Sequence, residues 1–186
     1  MKKLFLIIGA PGSGKTTDAE IIANENENIT HYSTGDMLRD EVASGSEIGK
    51  ELDSYMSKGL IVPIDIVIKT ITNAMKSAPT EIIILDGYPR SIEQLKSLEE
   101  FLSNDTTIKL VNVIEVEVSE ETAKDRVLGR NRGDDDNEKV FNNRMKVYLE
   151  PLKEIKEFYT KQNKLETVSG EGSIEEVVGL MKKYIH

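Results

Sequence analysis

The chain has no cysteine and only two histidines, His31 and His186. The first absence excludes disulfides, thiol catalysis and cysteine-based zinc sites. The second argues against a metal centre built from imidazoles, because such a site draws on several histidines. Neither histidine lies within the motifs described below, so we expect no imidazole to take part in the chemistry.

Positive charge is also scarce. The sequence has 24 lysines and arginines against 33 aspartates and glutamates, and its formal net charge is −9. A surface of this sign argues against nucleic acid or an anionic membrane as the main partner. A polyanionic substrate would therefore have to be met by a local cluster of cations.

Long hydrophobic runs are missing as well, since no stretch approaches the ~20 apolar residues of a membrane span. Residues 2–8 superficially resemble a secretory leader, but the apolar run is short and the next motif needs it as a strand. We therefore expect a cytoplasmic location. The 186 residues predict one domain, and such a length buries roughly 70% of the unfolded surface.

A glycine-rich segment follows the apolar residues 4–8. Residues 9–16, here called the phosphate loop, read GAPGSGKT and fit the pattern Gly, four residues, Gly-Lys-Thr. Its glycines allow backbone N–H groups to converge on an anion, and a helix that begins at Lys15 or Thr16 adds positive charge. The strand before the loop and the helix after it favour this interpretation over an ordinary glycine-rich turn. The segment predicts binding of a nucleoside triphosphate.

Predicted strands alternate with predicted helices along the whole chain, which indicates an α/β fold with a mostly parallel sheet covered on both faces. The partial alternation of residues 111–118 favours a strand with one wetter face. The strands are predicted at residues 4–8, 29–33, 81–86, 109–118 and 164–168.

Capping signals set the ends of several helices. Residues 140–162 also have a helical pattern, with Pro151 as a kink or a break. Two segments interrupt the alternation: 34–62 is helical but poor in strongly apolar faces, and 130–137 is glycine-containing and highly charged. The capped helices are predicted at 64–77 after Pro63, at 120–128 after Ser119, and at 174–185 after Ser173 with Glu176.

An acidic residue ends the apolar strand 82–85. Asp86 would lie at the carboxyl edge of the sheet, where phosphate-loop proteins hold Mg²⁺, usually through water, opposite a hydroxyl of the loop such as Thr16. An aspartate after a strand is common on its own. Paired with the phosphate loop, it favours a magnesium site.

The arginines indicate how a second phosphate is bound. The chain has only six arginines against eighteen lysines, and four of the six fall between residues 126 and 144. Arginine is preferred where a planar fork grips phosphate, whereas lysine is an adequate surface solubiliser. The alternative is chance scatter with surface ion pairs, especially beside the aspartates 134–136. The six are Arg39, Arg90, Arg126, Arg130, Arg132 and Arg144.

Motifs along essentially the whole chain resemble those of adenylate kinases in order and spacing. They are residues 9–17, 33–39, 59–63, 86–90 with Gln94, 126–130, and 170–173 with Glu175 and Glu176. The chain resembles the short-lid form, because long-lid members insert a longer segment, often with a zinc-binding knob, where this chain has only 130–137. The absence of cysteine agrees with that form.

The resemblance implies a three-layer α/β/α phosphate-loop fold with a five-stranded parallel sheet. It implies one kinase domain over residues 1–186, with an NMP-binding insertion at 33–62 and a short lid at 130–137. The core would then comprise residues 1–32, 63–129 and 138–186.

Carried over position by position, the resemblance also implies the site residues. ATP would contact Gly12, Ser13, Gly14, Lys15, Thr16, Thr17, Arg130 and Gly172. AMP would contact Thr34, Arg39, Leu60, Ile61, Val62, Gly87, Tyr88, Pro89, Arg90, Gln94, Arg132 and Arg144. The catalytic cations would be Lys15, Arg90, Arg126, Arg130, Arg132 and Arg144. Mg²⁺ would be held by Thr16 and Asp86, largely through water, and no zinc is expected.

Two of these positions carry open alternatives. In the lid, the family commonly has an arginine, one further residue and then a pair of aspartates. In this chain Arg132 and Gly133 precede three aspartates. When positions are counted back from Arg144, Arg132 is therefore displaced by one position from the family pattern. Gln94 has capping-box spacing from Ser91, besides its family position at the acceptor base. Its amide would suit adenine, and a flip would suit guanine.

The implied reaction is the reversible transfer of a phosphoryl group from ATP to AMP. Its partners would be ATP, AMP and ADP, and we expect the protein to be a monomer. The AMP phosphate is already anionic, so neither a protein nucleophile nor a general base is required. The nearest alternative is a UMP/CMP kinase or another small-molecule kinase, against which Gln94 and residues 34–39 argue. A GTPase-like switch is disfavoured, because residues 163–166 lack the final Asp of a guanine-reading motif and Pro89 replaces a required glycine.

Overall fold

The computed structural model describes residues 1–130 and 137–186. Within these residues, the strands form a single five-stranded sheet in the order β2-β3-β1-β4-β5, and every neighbouring pair is parallel. The α/β class and the five-stranded parallel sheet expected from the sequence are therefore confirmed. The strands are β1 (Lys2–Gly9), β2 (Ile29–Ser33), β3 (Ile82–Asp86), β4 (Ile108–Glu117) and β5 (Leu165–Ser169).

The apolar run of β1 explains its central place in the sheet. Leu4, Leu6 and Ile8 belong to one core cluster, and Phe5 and Ile7 belong to a second cluster on the opposite face. A strand that buries both faces needs a continuous apolar run, because successive side chains point in opposite directions. Burying each such side chain contributes about 1.5–3 kcal/mol.

Helices cover both faces of the sheet. Among the described residues, none of them is long and apolar enough to cross a membrane. They are α1 (Lys15–Asn24), α2 (Thr34–Ala43), α3 (Glu47–Met56), α4 (Ile64–Ser77), α5 (Ile92–Asn104), α6 (Glu120–Gly129), α7 (Glu138–Lys161) and α8 (Ile174–Lys182).

Two helix predictions differ from the structure. Of the kink or break predicted at Pro151, the break does not occur: Pro151 lies inside α7, and Met145 and Ile155 on its two sides both pack into apolar clusters. The C-terminal helix ends at Lys182, three residues earlier than predicted. The start of α4 directly after Pro63, and the side-chain caps of α6 and α8, agree with the predictions.

The prediction of a wetter face on β4 is wrong at its centre. Glu115 is fully buried, because β4 lies between β1 and β5 and α7 covers it. Its carboxylate lies 2.6 Å from Lys156 Nζ and accepts a hydrogen bond from Thr167 at 3.2 Å. Only the ends of the strand, Lys109 and Glu117, are exposed.

The sheet order fixes where a ligand can bind. The chain leaves β1 through α1 to reach β2 on one side, and it leaves β3 through α5 to reach β4 on the other. In open parallel sheets the ligand crevice lies outside the carboxyl ends of the strands at such a switch point. The phosphate loop follows β1 at this point, and Asp86 ends the neighbouring β3.

Candidate active site

The phosphate loop has a left-handed backbone, which strongly favours glycine, at two positions. Gly12 and Gly14 have φ values of 86° and 91°. A Cβ on Gly12 would lie 2.3 Å from the carbonyl oxygen of Ala123 in α6. Gly14 caps α1 with no side-chain acceptor for the first-turn N–H groups. These donors are therefore oriented to bind an anion at the positive end of the helix.

The other predicted residues of this loop lie around the start of α1. Ser13 is buried, and its Oγ has no hydrogen-bond partner among the described residues. Thr17 is exposed in the first turn of the helix. Lys15 donates to the carbonyl of Ala10 at 3.3 Å, which bends its side chain back over the loop.

Lys15 lies among several cations. Burial lowers its pKa to about 7, Asp86 opposes this shift, and Arg90, Arg144 and Arg130 reinforce it. Of the described residues that act on the pKa of Lys15, three are arginines and one, Asp86, is a carboxylate. Such an arrangement is stable only at some cost, and a bound polyanion would relieve the repulsion.

Asp86 connects the phosphate loop to β2. Its Oδ1 accepts a hydrogen bond from Thr16 Oγ1 at 3.1 Å, and its Oδ2 lies 2.6 Å from His31 Nε2. A carboxylate and a hydroxyl are oxygen donors of the kind that Mg²⁺ prefers. The described residues contain no cluster of three or more metal-ligating side chains. The pair therefore fits a magnesium ion that takes its remaining ligands from water and phosphate.

His31 lies outside the sequence motifs but contacts a residue of the candidate site. Its side chain is 8% exposed and contacts Asp86, which is itself almost fully buried. An ionised carboxylate only accepts, so His31 donates from Nε2. The contact follows from the register of β2 against β3, in which Ser33, two residues after His31, lies opposite Asp86, and the sequence alone does not show this register.

We expect His31→Ala to destabilise the fold. The change leaves one oxygen of a buried carboxylate without its donor, which should lower the free energy of unfolding by about 1–3 kcal/mol. Chemical denaturation measures the difference, and His186→Ala at the exposed chain end is the matched control. An unchanged midpoint for His31→Ala would show that water replaces the imidazole without loss.

A cavity lies next to the phosphate loop, between the carboxyl edge of the sheet, α2, α3 and α7. Gly9 and Lys15 of the phosphate loop are among its lining residues. Thr34 is buried there, and its Oγ1 has no hydrogen-bond partner among the described residues. Most of the predicted acceptor residues line this cavity: Thr34, Arg39, Leu60, Ile61, Val62, Gly87, Pro89, Arg90, Gln94 and Arg144.

Tyr88 does not line this cavity. Its ring is fully buried in the main core cluster, and its hydroxyl donates to the carbonyl oxygen of Gln94 at 2.9 Å. Burial raises the pKa of Tyr88 well above its usual value. Its side chain therefore supports the wall of the cavity from behind.

Arg90 is held by its own turn. Its Nε donates to the carbonyl oxygen of Gly87 at 2.7 Å, and a Cβ on Gly87 would lie 2.9 Å from its Nη2. Burial lowers the pKa of Arg90, while Asp86 opposes this shift and the nearby Arg39 adds to it. Arg39 is itself oriented by hydrogen bonds to Asp36. Two guanidinium groups thus meet in one cavity.

Gln94 has a fixed amide orientation. Its Oε1 accepts a hydrogen bond from the backbone N–H of Arg90 at 2.7 Å. A backbone N–H can only donate, so a flipped amide would place two donors against each other. This contact favours the amide orientation that suits adenine over the flipped one that would suit guanine. The backbone N–H of Gln94 donates to Ser91 Oγ. The side chain of Gln94 does not accept from the backbone N–H of Ser91, so only half of the capping box forms.

The remaining arginines surround the loop. Arg126 donates to the carbonyl oxygens of Ser13 at 3.3 Å and Gly170 at 3.0 Å. Arg130 follows the last turn of α6 and acts on the pKa of Lys15. Gly172 lies in the loop between β5 and α8. Arg132, and most of the lid predicted at 130–137, lie outside the described residues, so the register of Arg132 stays open.

Sequence reasoning also missed Asp18. It lies in the first turn of α1 and is 3% exposed. Burial raises its pKa to about 6, and Arg126 opposes this shift. The position directly after Thr16 and Thr17 was the available signal, since every residue of this turn lies close to the phosphate loop.

A triphosphate loop that faces a second, arginine-lined cavity is the arrangement of a phosphate-loop kinase that acts on a small phosphorylated acceptor. The sequence model of one such family, described as adenylate kinase, matches residues 7–164. The chain belongs to the adenylate kinase family and is therefore a nucleotide-binding kinase.

Curated relatives agree over the full length. A protein named adenylate kinase from Campylobacter lari is 63% identical over 186 residues, which cover 100% of this chain and 98% of that protein. Adenylate kinases from Helicobacter hepaticus and Nautilia profundicola are 63% and 61% identical, with 100% of this chain covered in both cases. The chain covers 98% and 97% of those two proteins.

Proposed function

We propose that the chain transfers the γ-phosphoryl group of ATP to AMP, reversibly, to give two molecules of ADP and so balance the adenine nucleotides. The observation that carries this proposal is the cation cluster around Lys15, which borders both the phosphate loop and the cavity that contains Gln94. One cluster can neutralise two phosphorylated ligands at once only if both approach it. The names of the relatives support adenine as the base of the acceptor.

ATP would bind through the phosphate loop. The backbone of Gly12–Thr17 and the ammonium of Lys15 would hold its phosphates, and Arg130 and the backbone near Gly172 would contact its adenine. The N–H groups at the start of α1, which no side chain of the described residues caps, support this orientation.

Magnesium would be held by Thr16 and Asp86, largely through water. The metal would supply charge neutralisation across the phosphates. His31 keeps one carboxylate oxygen of Asp86 occupied, so Oδ1, which faces Thr16, is the oxygen oriented toward the ligand.

AMP would occupy the cavity next to the loop. Arg39 and Arg90 would grip its phosphate, and Gln94 would donate from its amide nitrogen to an acceptor of the adenine. Thr34, whose hydroxyl is buried without a partner among the described residues, would hydrogen-bond the nucleoside. Apolar contact would come from Leu60, Ile61 and Val62, and the turn of Gly87, Tyr88 and Pro89 would shape the wall.

The transfer needs positioning and charge. The anionic oxygen of AMP attacks in line, so Arg90, Arg126 and Arg144 would stabilise the equatorial oxygens of the transferring group. Arg130 and Arg132 belong to the same proposed set. Lys15 and Arg90 are both half-buried, and a bound pair of nucleotides would displace the remaining water, which would otherwise consume ATP by hydrolysis.

We further propose that the protein acts in the cytoplasm as a monomer. The negative net charge and the complete core of one chain support this proposal. The adenine nucleotides that it would interconvert are small dissolved molecules, so the reaction itself requires neither a membrane nor a second subunit.

A coupled assay with ATP and each of AMP, GMP, UMP and CMP tests the acceptor. We expect AMP to be strongly preferred. Gln94→Glu keeps an acceptor for the N–H of Arg90 but loses the amide donor, so kcat/KM for AMP should fall about tenfold, the scale of one hydrogen bond. Turnover of UMP or CMP comparable to that of AMP would favour the UMP/CMP kinase alternative instead.

A further inference from the structure

An exposed carboxylate connects two loops at the carboxyl edge of the sheet. Glu171 follows β5, and Ser119 precedes α6 after the neighbouring strand β4. Glu171 accepts hydrogen bonds from the backbone N–H of Ser119 at 2.5 Å and from the hydroxyl of Thr122 at 2.8 Å. These two donors hold the pKa of Glu171 below its usual value.

The contact completes the cap of α6 from outside the helix. In α8, Ser173 caps the helix and Glu176, three residues later, accepts from the Ser173 N–H, which is a complete capping box. In α6 the equivalent third residue is Thr122, whose side chain does not reach back to the Ser119 N–H. Glu171 takes this position from a different part of the chain, and its charge lies at the positive end of the helix.

The same loop is attached to α6 at a second point. The carbonyl oxygen of Gly170 accepts from Arg126 Nη2 at 3.0 Å, while Nη1 of the same guanidinium donates to Ser13 in the phosphate loop. Arg126 lies four residues, or about one turn, beyond Thr122 on α6. The loop of residues 170–172 therefore contacts both the first turn and the later part of this helix.

We propose that Glu171 is a positioning residue that fastens the 170–172 loop to α6 and thereby keeps the adenine end of the ATP site in register with Arg126. The inference rests on the proposed function, since it takes the backbone near Gly172 as a contact of the ATP adenine. The acceptor cavity, by contrast, is not lined by any of residues 170–172.

Steady-state kinetics with ATP and AMP varied in turn test the role of Glu171. Glu171→Ala should raise the KM for ATP about threefold to tenfold, on the scale of one or two lost hydrogen bonds, and leave the KM for AMP within about twofold. Glu171→Gln should restore the wild-type KM, because its amide oxygen accepts from Ser119 and its amide nitrogen donates to the hydroxyl of Thr122.

Two further variants separate positioning from general effects. The double variant Thr122→Ala, Glu171→Ala should raise the KM for ATP by less than the product of the two single effects. The reason is that each single change already removes the same hydrogen bond, the one between Thr122 and Glu171. Glu157→Ala removes an exposed carboxylate of α7 that pairs with Lys153. It should leave both KM values unchanged.

Several results would overturn the inference. They are an equal rise of both KM values, an unchanged KM for ATP in Glu171→Ala, a glutamine variant as impaired as the alanine variant, and independent effects in the double variant. Each of these leaves the proposed function intact if the wild type converts ATP and AMP to ADP. Failure of the wild type to do so would instead overturn the proposed function.

Discussion

Arg90→Lys is expected to lower kcat by roughly a hundredfold or more. For comparison, an arginine finger in a phosphoryl-transfer enzyme raises kcat by a factor of roughly 10³–10⁵. The side chain is anchored at Nε by the carbonyl of Gly87, which leaves its two terminal nitrogens for the ligand. A lysine keeps the charge but has no second nitrogen, so it cannot hold Gly87 and bridge two phosphates at the same time. The loss should therefore fall on the transition state, where the two ligands are joined.

The kinetic pattern is as informative as the size of the effect. If kcat stays at the wild-type value and only KM rises, Arg90 contributes uniform binding and our assignment is wrong. Thermal unfolding of the variant is the control, because Arg90 also supports its own turn. We expect equivalent losses of kcat for Arg126→Lys and Arg144→Lys, whose guanidinium groups surround the same region.

Gly12→Ala should nearly abolish turnover. A Cβ at this position would lie 2.3 Å from the backbone oxygen of Ala123, a distance that no rotamer change can relieve. The loop would have to move away from α6, and its N–H groups would lose their alignment on the triphosphate. A misplacement of about 1 Å can cost a hundredfold in rate, so kcat/KM for ATP should fall by at least about that factor.

A second glycine provides the matched control. Gly45 also has a positive φ, of 70°, but a Cβ there has nothing within 4 Å. Gly45→Ala should cost about 1–2 kcal/mol of stability from the left-handed backbone alone and leave turnover unchanged. If both alanine variants lose activity equally, backbone strain and not contact with α6 explains the glycine requirement at residue 12.

The parts of the fold that could be predicted from the sequence are those set by local chemistry. The apolar run of β1 can only be buried on both faces, and Ser119 and Ser173 cap helices through their own neighbours. Pro151 was harder, because the packing of Met145 and Ile155 on its two sides decides whether the helix continues.

The parts of the site that could not be predicted depend on contacts between distant segments. The pattern of β4 gives Glu115 the character of a surface residue, and its burial is compensated by contacts with Lys156 on α7 and Thr167 on β5. The orientation of the Gln94 amide depends on the path of the chain at Arg90. The contact of His31 with Asp86 depends on the register of β2 against β3.

The candidate site could be predicted because the chemical role of each motif follows from the residues of that motif alone. The glycines of the phosphate loop indicate close backbone approach to an anion, and the excess of arginine over lysine between residues 126 and 144 indicates planar contacts to phosphate. Sequence spacing does not show which cations converge, and the influence of Arg90, Arg144 and Arg130 on the pKa of Lys15 supplies that information.

The most direct test of the proposed activity is the stoichiometry of the reaction. Purified protein is mixed with ATP, AMP and Mg²⁺, and the three adenine nucleotides are followed by chromatography. We predict that ATP and AMP disappear in equal amounts while twice that amount of ADP forms, and that ADP alone regenerates both. Consumption of ATP with AMP left unchanged would contradict the account.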